Sequence, residues 1–460
     1  MYMKELSFLI VCTVMVMFFT GCTGCTQKIL EVDTEILQKK IYEPSATIYE
    51  SLQQSTVLYL DHSTCVIDAR QNSKVFNALR PQLGQYSDTL ILIKGNDFES
   101  TPLNRSDNEV FRILQNIQVD IPYSNILKTV EKICNGNQQA ILITDCEYIE
   151  KGKGNNGKDL CHDQDPYLSE PFKNWLRKGH CIYTVVEPYQ ERNKGKIYDK
   201  KRFYFCFTDD RMENPFSQKM LAEIQPFLQD SICRLFKMTN SDISVQGSKS
   251  EMIPKKFLAC NVDSFVLKNR NNFDFVNISD DWRAIRKYVM KLQENFQPIP
   301  DEQSVPLIQN LAFNDGENYI VESMQVVAKN ITSTYLSSVD STISVKEINA
   351  SDGFSLDKDT LKINKLIVLL TDKIFTEGYL SNDYNYEGNL IRLDFVITKV
   401  GLKQNFDSDM FTWQSLINNE KAICVAKSID NVLHDSSIMP TNNERKVMHT
   451  IFLQTQSYPK

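Results

Sequence analysis

Apolar positions in the first half of the chain fall into short dense runs separated by stretches of helical spacing. Ser55–Asp61, Asp88–Lys94 and Gln139–Asp145 are almost continuously apolar inside their polar ends, the pattern of strands buried on both faces. Between and after them, Gln71–Tyr86 places Val75, Phe76, Leu79 and Leu83 on one helical face, and Asn108–Ile117, Ser124–Cys134 and Leu168–Lys178 read as further helices. Cys181–Val186 and Arg202–Phe207 read as strands and Pro215–Phe236 as a long amphipathic helix. The polar, Lys/Arg-rich Gln190–Lys201 is too irregular for a crossover helix, which points to a long antiparallel hairpin there. Strands alternating with helices predict an α/β fold, a mostly parallel sheet flanked by helices.

The pattern changes after residue 240. Residues 241–256 are polar and read as a linker between a domain over 55–240 and a second over 257–460. In the second, Asp280–Phe296, Asp315–Asn330 and Trp413–Leu433 read as helices, and Leu361–Asp372, Gly388–Val400 and Val447–Thr455 as strands. Leu390–Lys399 alternates as a strand with one wet face does. The expectation is an α+β C-terminal domain that includes a β-sandwich portion.

The N-terminus carries a different signal. After Lys4 comes an apolar run from Leu6 to Phe19, closed by Thr20-Gly21-Cys22. The run is shorter than the roughly 20 residues of a membrane span and suits a secretory signal. Phe19-Thr20-Gly21-Cys22 resembles the bacterial lipobox, with Phe19 where that pattern usually has Leu. The resemblance implies cleavage before Cys22 and its lipidation, with Cys25 a second possible acceptor. Residues 1–25 are then signal and anchor site, and 26–54 a tether. No Asp follows Cys22, so the inner-membrane retention signal of lipoproteins is absent and the expected location is the cell envelope, at the outer membrane. An uncleaved N-terminal anchor is the alternative.

Composition narrows the function. The 460 residues are 42% hydrophobic and 24% charged, enough for ordinary globular cores in two or three domains. A formal net charge of -7 lacks the basic footprint of a nucleic-acid binder. Of 12 cysteines, nine follow Cys25, and none of them forms a local CxxC pair, so ordinary zinc spacing is absent and most read as buried apolar residues.

Chemistry concentrates at strand ends, where open α/β sheets bind ligands. The first strand ends in Asp61-His62-Ser63-Thr64-Cys65, the third in Thr144-Asp145-Cys146-Glu147, and Tyr123-Ser124-Asn125 opens the intervening helix. This set resembles the von Willebrand factor A domain and its metal-ion-dependent adhesion site, over about Ser55–Met238 in element order. Asp61 and Ser63 match the start of its Asp-x-Ser-x-Ser motif, Cys65 replaces the second Ser, Ser124 stands for its Thr, and Asp145 for its last carboxylate. The resemblance implies Mg2+ or another divalent cation held by Asp61, Ser63, Ser124 and Asp145, with a coordination position open to an acidic group of a partner. Magnesium favours such oxygen ligands, whereas a thiol at Cys65 is soft. Two other readings stay open: Asp61 and Ser63 as helix caps with Asp145 satisfying loop amides, and a Cys65–Cys146 disulfide closing a dead site.

Competing motifs carry less. Gly152–Asp159 approaches a P-loop and contains GxGxxG, but Asp159 stands at the Ser/Thr position and no helix opens behind it, so a solvated loop is expected. The sequence shows no GxSxG or HExxH, and of His62, His162 and His180 only His62 lies at the functional edge. The expected protein is thus a non-enzymatic, lipid-anchored binding or scaffolding lipoprotein that engages another envelope or extracellular protein. A metal-dependent hydrolase using Asp61 and Asp145 with His62 or Glu147, and a structural envelope lipoprotein with a degenerate site, are the alternatives.

Overall fold

The computed structural model describes residues 28–42, 51–105, 107–115, 123–193, 195–210, 212, 215–239, 244–247, 262–266, 273–278, 304–371, 373–376, 379–380, 386–403, 406–415, 420–441 and 447–455. The signal segment, Cys22 and the helix expected over Asp280–Phe296 lie outside them. Among the described residues no helix is long and apolar enough to cross a membrane.

The first sheet has seven strands: β1 (Gln53–Asp61), β2 (Thr89–Lys94), β3 (Asp97–Pro102), β4 (Gln138–Thr144), β5 (Cys181–Asn193), β6 (Lys196–Thr208) and β7 (Arg234–Thr239). Their spatial order is β7-β5-β6-β4-β1-β2-β3. The apolar runs form the centre as expected, but the sheet is mixed and not mostly parallel. β1 is parallel to β2 and β4, while β3, β5, β6 and β7 enter through antiparallel pairings. A continuous apolar run reports burial on both faces and carries no information on strand direction.

Helices cover both faces: α1 (Thr64–Asn72), α2 (Lys74–Tyr86), α3 (Asp107–Gln115), α4 (Ile126–Asn135), α5 (Ser169–Arg177) and α6 (Phe216–Gln229). One core lies under α1, α2 and α6, built on Leu58, Leu60, Ile141, Ile143 and Tyr204. The other lies under α4 and α5, built on Tyr59, Ile91, Leu142, Phe203 and Phe205. Alternate residues of one strand feed opposite cores, as a pleated sheet requires. The helix expected through Phe236 stops at Gln229; Ser231 takes a positive φ of 56° and the chain leaves as β7.

The polar stretch Gln190–Lys201 is the arm of a hairpin. β5 and β6 pair in unbroken register from Cys181–Thr208 to Asn193–Lys196. Its inner half is apolar and buried, and its outer half is partly exposed.

Among the described residues the C-terminal half builds two further sheets of four or more strands. Ser244–Gly247, Ser304–Asn314, Lys365–Thr371 and Phe354–Leu356 form one, so part of the expected linker is a strand. Val262–Val266, Phe273–Ile278, Val447–Thr455, Asn389–Leu402, Tyr319–Asn330 and Ile348–Asn349 form the other. They share a core of Leu307, Phe313, Leu366, Val368, Met324, Val326, Phe395 and Ile451, which makes a β-sandwich. The helix expected over Asp315–Asn330 is instead a strand, Tyr319–Asn330. Register shifts between Val321 and Met324 break its alternation and gave the sequence a helical look. The helix expected over Trp413–Leu433 is shorter: Trp413–Gln414 pairs with Lys421–Ala422, and α7 spans Cys424–Leu433.

Packing crosses the chain order. Met410, Phe411, Trp413 and the apolar face of α7 join the core under α4 and α5 of the first sheet. Over residues 28–42 the expected tether is packed: Leu30, Leu37, Ile41 and Tyr42 bury against Tyr335, Leu336, Leu390 and Phe452.

Candidate metal centre

Three chain segments converge beyond the carboxyl ends of β1 and β4. Asp61 is the last residue of β1 and Asp145 follows the last residue of β4, so the parallel pairing of these strands sets the two carboxylates side by side. The third segment is the loop before α4, where Ser124 bridges to Gly95 just after β2. There Asn125 caps α4 by accepting from the Lys128 amide at 3.0 Å, which leaves Ser124 facing the sheet end.

The hydroxyl of Ser124 donates to Asp61 Oδ1 at 2.5 Å, across 63 residues of sequence. Thr144 Oγ1 donates to Asp61 Oδ2 at 2.7 Å, and Ser63 also bonds the Asp61 side chain. Ser63 occupies the N-cap position of α1 but makes no side-chain capping bond. The capping alternative therefore fails for Asp61 and Ser63. It holds in part for Asp145, whose Oδ1 accepts from the Glu147 amide at 3.1 Å.

Ligand atoms of Asp61, Cys65 and Asp145 all lie within 4.8 Å of one another, an array that could hold a metal ion. Cys65, which replaces a motif hydroxyl, is thus a member of the cluster. Ser124 reaches the cluster through Asp61, and Ser63 through both Asp61 and Cys65, donating to the Cys65 Sγ at 3.4 Å. Cys65 and Cys146 are both free, so the alternative of a disulfide between them is not realised.

Burial dominates the electrostatics. It pushes the Asp61 carboxyl up to about 7, assisted by the Asp145 charge and opposed by the hydroxyls of Ser124, Thr144 and Ser63. Asp145 is also raised by burial, against the Glu147 amide, Lys200 and Arg202. Burial, then Asp145 and Asp61, drive the Cys65 thiol well above its ordinary range. Two buried acids beside a thiol, with no ion pair of their own among the described residues, are costly unless they take up protons or a cation.

The open rim implied by the adhesion-site resemblance is not found. Asp61 is 1% exposed and Asp145 5%. The hairpin closes over them: Arg202 on β6 donates Nε to the Cys65 carbonyl at 3.1 Å and bonds Glu187 and Asp68 through its other nitrogens. Its guanidinium lies 4.5 Å from the ring centre of Tyr189 on β5. Two residues outward on β6, the fully buried ammonium of Lys200 is paired with Glu147. No local motif marks Arg202, Lys200 or Tyr189; they arrive by hairpin register. His62 is buried beside the cluster.

In the P-loop-like stretch, Asp159 Oδ1 accepts from the Gly152 amide at 3.1 Å and so serves its own loop. The next helix begins only at Ser169, so no phosphate cradle forms at a helix start.

Searches against known proteins match no family model, no curated protein and no solved structure.

Proposed function

We propose that this chain is an exported, lipid-anchored binding or scaffolding protein of the cell envelope, with Cys22 as the lipid acceptor and an ion-dependent, A-domain-like interaction module over residues 55–240. The observation that carries the reading is the Ser124–Asp61 hydrogen bond together with Asp145 beside Asp61, which joins three distant segments into one cluster. A divalent cation there neutralises the two acids. Cys65 in the donor set favours zinc or another ion tolerant of sulfur over magnesium, which prefers an all-oxygen shell.

The burial of Asp61 and Asp145 supports binding over hydrolysis, since both carboxylates have almost no surface exposed to a substrate. The ion acts by fixing the base of the β5–β6 hairpin. The arm it steadies, whose outer half is partly exposed, is the surface this reading assigns to another envelope protein.

Cross-linking in envelope fractions, with and without a chelator, tests this against Asp145→Ala. The reading requires partner adducts to fall in both arms. Metal-dependent turnover of phosphoester or peptide substrates that Asp145→Ala abolishes would overturn it in favour of a hydrolase.

A further inference from the structure

At the opposite pole of the first sheet, where β1 and β4 begin, lies a pocket of about 340 Å³ lined by Gln54, Thr56, Tyr86, Arg105, Gln139, Phe216 and Lys219. That volume is within the range of small-molecule sites. Among the described residues the lining holds two cations, Arg105 and Lys219, and no carboxylate. Lys219 Nζ sits 3.4 Å from the ring centre of Tyr86 and makes no ion pair among the described residues. Arg105 is ion-paired with Asp88 through Nε at 2.7 Å and Nη2 at 2.5 Å, which fixes the guanidinium at the pocket wall. Tyr86 and Phe216 meet edge to face at 6.2 Å and form an aromatic wall. The Gln139 carbonyl is used by Thr208 Oγ1 at 2.8 Å and by the Phe216 amide at 3.3 Å, so its side chain is held rigid. Phe216 and Lys219 belong to the first turn of α6, a 14-residue helix whose amino end adds positive potential.

We propose that this pocket binds a small molecule that joins an oxyanion, carboxylate or phosphate, to a flat ring. The oxyanion pairs with Lys219 and the Nη1 edge of Arg105. The ring packs on Tyr86 and Phe216. The site is independent of the metal centre, which lies at the other end of the same strands.

Ligand-observed NMR on the full chain in detergent tests it with four probes: benzoate, phenyl phosphate, inorganic phosphate and benzyl alcohol. The expected result is saturable binding of benzoate or phenyl phosphate, with little for inorganic phosphate and none for benzyl alcohol. Whichever of the first two binds more tightly identifies the oxyanion. Lys219→Met keeps a helix-forming residue and should weaken binding at least tenfold, and Arg105→Gln should weaken it too. Absence of binding by both aromatic anions, or binding unchanged in Lys219→Met, would overturn the proposal. Equal binding of benzyl alcohol would also overturn it, since that would be apolar capture without anion recognition.

Discussion

Arg202 Nε donates to the backbone carbonyl of Cys65 at 3.1 Å, so a strand of the β5–β6 hairpin holds the first turn of the helix that follows Asp61. The same guanidinium meets Glu187 at 2.8 Å and Asp68 at 2.9 Å, and its side chain is fully buried. This contact makes the hairpin part of the cluster's structure.

Replacing Arg202 by Met leaves Glu187 buried without its cation. Breaking a buried pair in this way costs about 3–5 kcal/mol. Denaturant titration of Arg202→Met should show a loss of that order. A loss under 1 kcal/mol would mean that Tyr204 and Ser73, which also bond Glu187, carry the charge alone.

The metal-free protein should lose stability as pH rises. Burial and the Asp145 charge raise the folded-state value of Asp61 from 3.8 to about 7, so it binds its proton more tightly folded than unfolded. Its contribution is complete below about pH 4 and disappears as pH climbs through about 7. Melting temperatures of chelated protein should therefore fall between about pH 5 and pH 8, and added zinc should reverse the trend, because the ion replaces that proton. A melting temperature that rises with pH in chelator would refute this.

Ser124→Ala removes a donor to Asp61 without touching Cys65 or Asp145 in the cluster. Groups that orient ligands typically set metal affinity by about 10–100-fold. Calorimetric zinc titration of this variant should show a drop in that range with the stoichiometry preserved.

Cys22→Ala should abolish metabolic fatty-acid labelling and release the protein from membrane fractions. Persistent labelling would move the anchor to Cys25, and persistent pelleting without label would indicate an uncleaved N-terminal anchor.

The sequence exposed the parts of this architecture that are local. The central strands are apolar runs, and Asp61 and Asp145 stand where such runs end, so their placement follows from strand boundaries alone. Ser124 was legible because it opens the helix between them. What stayed hidden depends on pairing. The polar Gln190–Lys201 marked β5 and β6 as an antiparallel hairpin, but Lys200 and Arg202 reach the cluster only through a register set at the far end of that hairpin. The strand Tyr319–Asn330 was masked by its irregularity near Ser323. Cys65 was visible as a departure from a motif, but its membership of the cluster required the first turn of α1 to be in place.

In the function proposed above, Asp61, Cys65 and Asp145 together hold a divalent ion. Calorimetric titration of zinc and magnesium into the demetallated chain and its Asp145→Ala and Cys65→Ser variants tests it most directly. The account predicts one zinc per chain, bound more tightly than magnesium, lost in Asp145→Ala, with the preference shifted toward magnesium in Cys65→Ser. Failure of the wild-type chain to bind either ion would contradict it and leave the cluster as a buried, protonated element of the fold.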